Sequence, residues 1–318
     1  MKDFFNRIGV LGLVFLPILG ILIALPFFIK LGWISLITEM LILAIAACGN
    51  NLIMGYAGMV SFGPAGPYAV GAYTTGLLLV KAGTPFGLAI IAGSVMAGLA
   101  SILIGWFCVR RTHVYFSLLN LAFAQLIYTI IQKWYSFTGG DDGLIGIPIP
   151  GFLASIENYY YFTLLVAVIC LIIMWLIVNS PFGKIIQGIR ENPRRAEFIS
   201  VNVRRYQLGV FVISGFFLGV AGSLYSGFNG SIFPSNVDLI KTTDILVVCL
   251  LGGMHNFLGP VLGSGVYILL NKIIVNYTEY WAIILGMIIV LLVVFAKGGI
   301  AGFISGYFSS TKMRQEKR

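Results

Sequence analysis

Charge is what this chain has least of: Asp, Glu, Lys and Arg make up only 10% of its 318 residues, whereas 59% are hydrophobic. Soluble domains carry roughly 25% charged residues, so the composition excludes a soluble globular protein. Apolar runs reach the roughly 20 residues that a helix needs to cross a bilayer, which also excludes the short alternating segments of a β-barrel. The sequence therefore predicts an all-α, polytopic transmembrane helical bundle, with residues 1–318 forming a single domain.

Several kinds of chemistry are also missing. No GxxxxGK[ST] phosphate loop occurs, so the chain is not itself an ATPase of that type. The four cysteines stand singly in or beside apolar runs, which indicates core residues and no metal site or disulfide framework. His113 and His255 are far apart, and a metal or proton-relay role for them is the minor alternative. No nucleophile and base stand together, so we expect no enzyme activity and no cofactor in this chain.

Positive charge is concentrated in one long polar interruption, residues 179–206, NSPFGKIIQGIRENPRRAEFISVNVRRY. A short loop so rich in Lys and Arg belongs in the cytoplasm by the positive-inside rule. The net charge of +9 is thus explained by topology and does not require nucleic acid. Glu191 to Val201 are good helix formers, with Pro193 near a plausible first turn. A short amphipathic helix here either docks a soluble partner or anchors the flanking spans to anionic lipid.

Apolar runs place the membrane spans. The first is expected to be an uncleaved span and not a signal peptide, because it is long and lacks a clear small-residue cleavage site. If residues 240–275 cross twice, the chain has about ten spans with both termini inside; one crossing gives nine. The predicted spans are Val10–Ile29, Ile34–Met54, Tyr68–Val80, Gly87–Val109, Tyr115–Trp134, Tyr159–Val178, Gln207–Phe228, the 240–275 segment and Trp281–Ala296.

Two hydrophobic segments are broken by glycine and proline: GYAGMVSFGPAGP at 55–67 and GGMHNFLGP at 252–260. Non-helical backbone at membrane depth is tolerated only where it is buried in protein or lines a watery cavity. Half-helix N-termini and exposed amides suit a small zwitterion such as an amino acid. The alternative is that these glycines serve only close packing, as expected for Gly71, Ala72, Gly76 and GVAGSLYSG at 219–227. The predicted substrate-path residues are Asn50, Asn51, Tyr56, Gly58, Ser61, Gly63 and Tyr73.

A few acidic residues fall in or near these spans. Glu39 is the most conspicuous carboxylate, and it is either functional or close enough to the start of its span to reach the interface. Asp141 and Asp142 are expected in a solvated turn. Asp244 is interpreted as lying near the start of a half-helix, where the helix dipole favours it.

At this point the residues resemble a known family. Similarity extends over nearly the whole chain, in the segments NNLIMGYAGMVSFGPAGPYAVGAYTTGLL, YFSLLNLAFAQLIY, TGGDDGLIGIP, PFGKIIQGIRENPRRAEFISVNVRRYQLGVFVISGFFLGVAGSLYSG and LLGGMHNFLGPVLGSGVYILL. They are similar to the LivM-type permease subunit of branched-chain amino acid ABC importers in the prokaryotic inner membrane. The resemblance implies a second LivH-type permease, two cytoplasmic ATPases that bind ATP and magnesium, and an extracytoplasmic substrate-binding protein. It implies ATPase coupling through Arg190, Glu191, Asn192, Arg194, Arg195, Ala196 and Asn202.

Two departures bear on that resemblance. The family usually has GHAAF where this chain has Gly63-Pro64-Ala65-Gly66-Pro67, so the local path is expected to differ. Ser200 stands where glycine is usual, which suggests that a positive φ is not needed there. The family includes relatives for urea, short amides or aromatic acids, so the resemblance leaves the substrate of this chain open. An ion-coupled secondary transporter and a non-transporting scaffold are the remaining alternatives, and the scarcity of buried ionisable residues disfavours the first of these two.

Overall fold

The computed structural model describes residues 20–111, 114–254 and 256–277, together with the isolated residues 283–284, 286–287, 299 and 302. A two-residue antiparallel strand pair, β1 (Leu144–Ile145) with β2 (Ser231–Ile232), accompanies a helical chain. The helices are α1 (Leu31–Asn51), α2 (Ala65–Ala82), α3 (Phe86–Cys108), α4 (Val114–Lys133), α5 (Tyr135–Thr138), α6 (Ile156–Asn179), α7 (Pro181–Glu191), α8 (Pro193–Phe198), α9 (Val203–Asn229), α10 (Leu239–Gly252) and α11 (Gly259–Tyr277).

Within the described part of the chain, five helices are long and apolar enough to cross a membrane: α1 with its extension to Tyr56, α3, α4, α6 and α9. Each agrees with a predicted span to within a few residues, which confirms the all-α membrane architecture. The predicted spans Val10–Ile29 and Trp281–Ala296 lie largely outside the described residues, so the choice between nine and ten crossings stays a prediction.

Helix α2 is present where a span was predicted, but it is buried by protein along most of its length. Ala69, Ala72 and Thr75 are at most 1% exposed. Because neighbouring helices cover this helix, its tyrosine and threonine side chains do not face lipid, and its glycines allow those helices to approach closely. This explains why α2 is less apolar than the spans around it.

Helix α9 lies at the centre of the bundle and packs against α1, α2 and α3. Small residues let the backbones approach closely: an added Cβ at Gly71 would overlap the backbone of Gly219, and one at Gly215 would overlap Ser101. Hydroxyl groups link the same helices, with Thr75 donating to Ser223 at 2.8 Å and Ser214 donating to the Gly49 carbonyl at 2.7 Å. The predicted small-residue packing faces are confirmed.

The ends of the bundle differ in charge. Arg110 and Arg111 follow α3, and the antiparallel packing of α3 on α9 brings them to the end that carries residues 179–206. We call this the basic end. At the opposite end, Asp141 and Asp142 form the predicted exposed turn and accept hydrogen bonds from Gln132 and Tyr135.

Two changes of the same kind on α3 test the close packing. In Gly93→Ala the new methyl group would overlap the Thr75 hydroxyl, whereas in Gly98→Ala it meets only Phe216 Cβ at 3.7 Å. Overpacking costs about 1–3 kcal/mol, so the first variant should unfold at a distinctly lower temperature in detergent. The second variant should match the wild type. Equal unfolding temperatures for the two variants would show that α3 is free to move away from α2.

Candidate functional site

The loop at the basic end is built from two capped helices. Ser180 accepts a hydrogen bond from the Gly183 amide and begins α7, and Asn192 accepts one from the Arg195 amide and begins α8. Pro193 occupies the first turn of α8, as predicted, where its missing N–H costs nothing. Asn202 caps α9 in the same way through the Arg205 amide. Asn192 and Asn202 therefore shape this loop.

One side of the loop is anchored, and the other is open. Ile189, Ala196 and Val203 form a small buried cluster beneath it. The predicted coupling residues Glu191, Arg194 and Arg195 are exposed. So are Phe198 and Ile199, 88% and 75% exposed. This apolar pair was not among the predicted coupling residues, although it stands in the sequence as Glu197-Phe198-Ile199-Ser200 within the basic loop.

Ser200 corrects an expectation. Its φ is 63°, in the left-handed region, and it alone among the described non-glycine residues has a positive φ. A glycine, which is usual at this position in the family, would adopt this conformation without steric cost. The Cβ of Ser makes the same conformation unfavourable. The inference that a positive φ is not needed at this position was wrong. The turn from α8 to α9 requires it.

Arg190 connects the loop to the first broken segment. Its guanidinium donates a hydrogen bond to the Gly55 carbonyl, and its side-chain carbons lie where a Cβ of Gly58 would be. Gly58 has a φ of 69°, at the point where the chain leaves the helix. A predicted coupling residue and a predicted path residue are thus in direct contact.

The first break has defined geometry. Helix α1 continues as a π-helical turn, Leu52–Tyr56, whose last hydrogen bond runs from the Ala57 amide to the Leu52 carbonyl at 3.1 Å. Residues 57–64 are not helical and pack against α4. Ser117 on α4 donates to the Val60 carbonyl at 2.6 Å, and Asn120 donates to the Ser61 hydroxyl at 2.8 Å. Ser61, Gly63 and Pro64 are buried by these contacts, whereas Gly58, Val60 and Phe62 remain exposed.

Helix α2 begins where the sequence departs from the family pattern. Pro64 is its N-cap residue, and Pro67 lies in its first turn. The first amides of a helix have no intrahelical acceptor, so proline removes no hydrogen bond there. The two prolines fit this helix start.

The two broken segments meet. A Cβ on Gly55 would overlap the Met254 carbonyl, and Cys249 donates to the Ala47 carbonyl at 3.1 Å. Asn50 and Asn51 are buried at this junction, and their side-chain oxygens have no partner among the described residues. His113 and His255 lie outside the described residues.

The predicted path residues do not form one group. Asn50 and Asn51 lie towards α10, whereas Ser61 and Gly63 contact Asn120 on α4. Tyr73 is buried, and its hydroxyl has no partner among the described residues. Tyr56 is half-buried against the main core. Their role in substrate passage stays a prediction.

A cavity of about 260 Å³ lies in the half of the bundle away from the basic end, between α1, α2, α9, α10 and α11. Such a volume is just below the roughly 300 Å³ at which drug-sized ligand sites begin, so it suits a small molecule. Its polar lining includes Glu39, Lys241 and Asp244. Its aromatic lining is Tyr68, Tyr225 and Tyr267.

Two charged groups of the cavity, Lys241 and Asp244, contact aromatic residues. The Lys241 amine lies 4.9 Å from the Tyr225 ring centroid and 5.6 Å from that of Tyr68, within the range of a cation–π contact. The Tyr267 hydroxyl donates to Asp244. Asp244 is the sixth residue of α10, beyond the first turn, so the helix dipole does not explain it.

A family model described as "Branched-chain amino acid transport system / permease component" matches residues 32–293. The chain belongs to this family. Its members therefore share an inner-membrane, multi-pass permease architecture with this protein, and the permease chain is not the catalytic subunit.

Individual relatives agree with the family. The LivM permease of Escherichia coli is 25% identical over 310 residues, covering 89% of this chain and 73% of the relative. A probable LivM permease of Methanocaldococcus jannaschii is 22% identical over 276 residues, covering 74% and 79%. The galactose/methyl galactoside permease MglC of Haemophilus influenzae is 29% identical over 192 residues, covering 53% and 54%. No solved structure matches.

Replacing Arg190 by Met tests the contact between loop and break. The variant leaves the Gly55 carbonyl without its charged donor, and the free energy of unfolding should fall by about 1.5–3 kcal/mol. Lys184→Met, on the same helix but exposed, should change it by less than about 0.5 kcal/mol. Thermal unfolding of both purified variants measures the difference. If the two variants are equally stable, Arg190 does not hold the break.

Proposed function

We propose that this chain is the permease subunit of an ATP-driven importer for leucine, isoleucine and valine, and that it forms half of the translocation path. A second LivH-type permease forms the other half, two ATPase subunits bind ATP and magnesium in the cytoplasm, and an extracytoplasmic binding protein delivers the substrate. The family match and the LivM relatives, which align with 89% and 74% of this chain, support the substrate class. The sugar permease relative covers only about half of the chain.

The observation that carries the proposal is the open side of the basic loop. Phe198 and Ile199 present two large apolar side chains to water next to the exposed Arg194 and Arg195. Aromatic residues and arginines are enriched at the energetic centres of protein interfaces. Electrostatic attraction to anionic lipid would use only the basic residues of this loop, whereas a docked protein would also bury the apolar pair. The surface therefore favours a docked protein, which the positive-inside rule places in the cytoplasm.

The mechanism follows from the anchoring of this loop. When the ATPases close on ATP, they move the docked surface of α8, and the buried cluster of Ile189, Ala196 and Val203 transmits that movement to α7 and α9. Arg190 carries it to Gly55 and Gly58, where α1 stops being helical. Packed helices move as rigid bodies. A displacement of the loop therefore changes which side of the membrane the substrate can reach from the broken segments.

Changing Phe198 to Glu tests the docking surface. The substitution places a charge in the proposed interface, and we expect at least about tenfold weaker association with the ATPase subunits. Phe152→Glu is the matched control, because Phe152 is 70% exposed at the opposite end of the bundle. Co-purification and leucine uptake measure both effects. Normal ATPase binding by the Phe198 variant would disprove this docking surface.

The substrate class is tested with the complete complex in lipid. With the binding protein present, leucine, isoleucine and valine should each stimulate ATP hydrolysis, whereas urea, short amides and aromatic acids should not. Stimulation by one of the latter would keep the ATP-driven mechanism and replace the substrate. No effect of any ligand would favour the ion-coupled alternative, which predicts uptake that stops when the ion gradient is collapsed.

A further inference from the structure

The cavity between α1, α2, α9, α10 and α11 holds charged and polar groups that the bundle itself does not use. Tyr68 is 1% exposed and lines the cavity, yet its hydroxyl has no hydrogen-bond partner among the described residues. Glu39 and Asp244 line the same cavity. A buried hydroxyl without a hydrogen-bond partner costs free energy, so a ligand group that pairs with the Tyr68 hydroxyl in this cavity is favoured.

Both signs of charge are present in this space. Glu39 and Asp244 supply carboxylates, and Lys241 supplies an ammonium group whose position is fixed by the rings of Tyr68 and Tyr225. No ion pair joins Lys241 to another described residue, and a second amine, that of Lys272, lines the cavity from an exposed position. Charged groups inside a membrane protein are costly and point to function when they face a cavity.

We propose that this cavity is a binding subsite for a zwitterionic amino acid, an inference that rests on the proposed function and names the residues that recognise its substrate. Lys241 pairs with the substrate carboxylate. Glu39 and Asp244 accept hydrogen bonds from its ammonium group, and the Tyr68 hydroxyl completes the set.

The rest of the lining suits an apolar substrate side chain. Ile42, Leu43 and Ile268 border the cavity beside the charged groups, and the first two project from the same helix as Glu39. A small site with a few placed charges and an otherwise apolar wall fixes the orientation of a ligand and gives it specificity. A neutral sugar or urea would offer hydrogen bonds but no opposite charge to the carboxylates or to Lys241, and charge-assisted hydrogen bonds between opposite charges are the stronger ones.

The position of the cavity also gives it a place in the transport sequence. Glu39 lies in the third turn of α1, far from the break at Leu52–Tyr56, and Lys241 lies in the first turn of α10, soon after β2. The cavity therefore belongs to the half of the bundle remote from the basic end. An imported substrate would meet these residues before it reaches the broken segments.

Leucine uptake by proteoliposomes of the complete importer, at saturating binding protein, is the first test. Lys241→Met and the double variant Glu39→Gln with Asp244→Asn should each lower turnover about tenfold or more, since each leaves a substrate charge without its partner. Lys30→Met and Glu157→Gln remove the same charges from exposed positions at the same end and should not change uptake. Basal ATP hydrolysis and ATPase co-purification verify assembly.

A second measurement separates recognition from a structural role. Labelled leucine is bound to the permease–ATPase complex without the binding protein and is displaced by leucinol, which lacks the carboxylate, or isocaproate, which lacks the ammonium group. The wild type should prefer leucine to both. Lys241→Met should lose its preference over leucinol, and the double carboxyl variant should lose its preference over isocaproate. Tyr68→Phe keeps the ring beneath Lys241 and should weaken leucine binding severalfold, with folding unchanged.

The outcomes distinguish this inference from the proposed function. If the wild type imports leucine and the cavity variants import it at the same rate, the subsite is wrong and the function stands. Unchanged preference among the three ligands in the variants also overturns the subsite, even where uptake falls. If the wild type neither imports nor binds any branched-chain amino acid, both proposals fail.

Discussion

Backbone that leaves the helix inside a bilayer must find its hydrogen-bond partners in the protein, and much of this structure follows from that requirement. The Val60 carbonyl accepts a hydrogen bond from Ser117 on α4, and Arg190 reaches the Gly55 carbonyl from the loop at the basic end. Each donor comes from another part of the chain. The break is therefore stable only when α4 and α7 are in place, and a movement of α7 is felt at the break.

Close packing between helices is the second requirement of this fold. Helix α9 can lie against α1, α2 and α3 at once because glycine, alanine and serine line the contacts. Without a hydrophobic driving force between helices in lipid, such contacts depend on backbone proximity and on hydroxyl bonds such as the one from Thr75 to Ser223. This packing encloses α2, and it sets one wall of the cavity by holding Tyr68 beside Tyr225, with ring centroids 5.9 Å apart.

The molecule thus contains two functional regions joined by rigid helices. The basic end offers a surface with two exposed apolar side chains, and the remote half holds a small cavity with charges of both signs. Helices α1 and α10 run from the cavity to the two broken segments, which touch at Gly55 and Met254. A change at the breaks is therefore able to alter the cavity without any contact between the cavity and the loop.

Local patterns determined the helical architecture, five of the membrane spans, the basic loop with Pro193 in a first turn, and the small-residue packing between helices. These features depend on hydropathy, charge and near-neighbour chemistry, all of which are present within a few residues of sequence. Only the tertiary structure decided that Arg190 holds Gly55, that Ser200 needs a positive φ, and that Glu39, Tyr68, Tyr225, Lys241 and Asp244 share one cavity. Those five residues come from four helices spread over some 200 positions, and nothing in the sequence around any one of them indicates the others. Their meeting depends on how α1, α2, α9 and α10 cross, which is set by contacts between distant small residues and not by any local pattern.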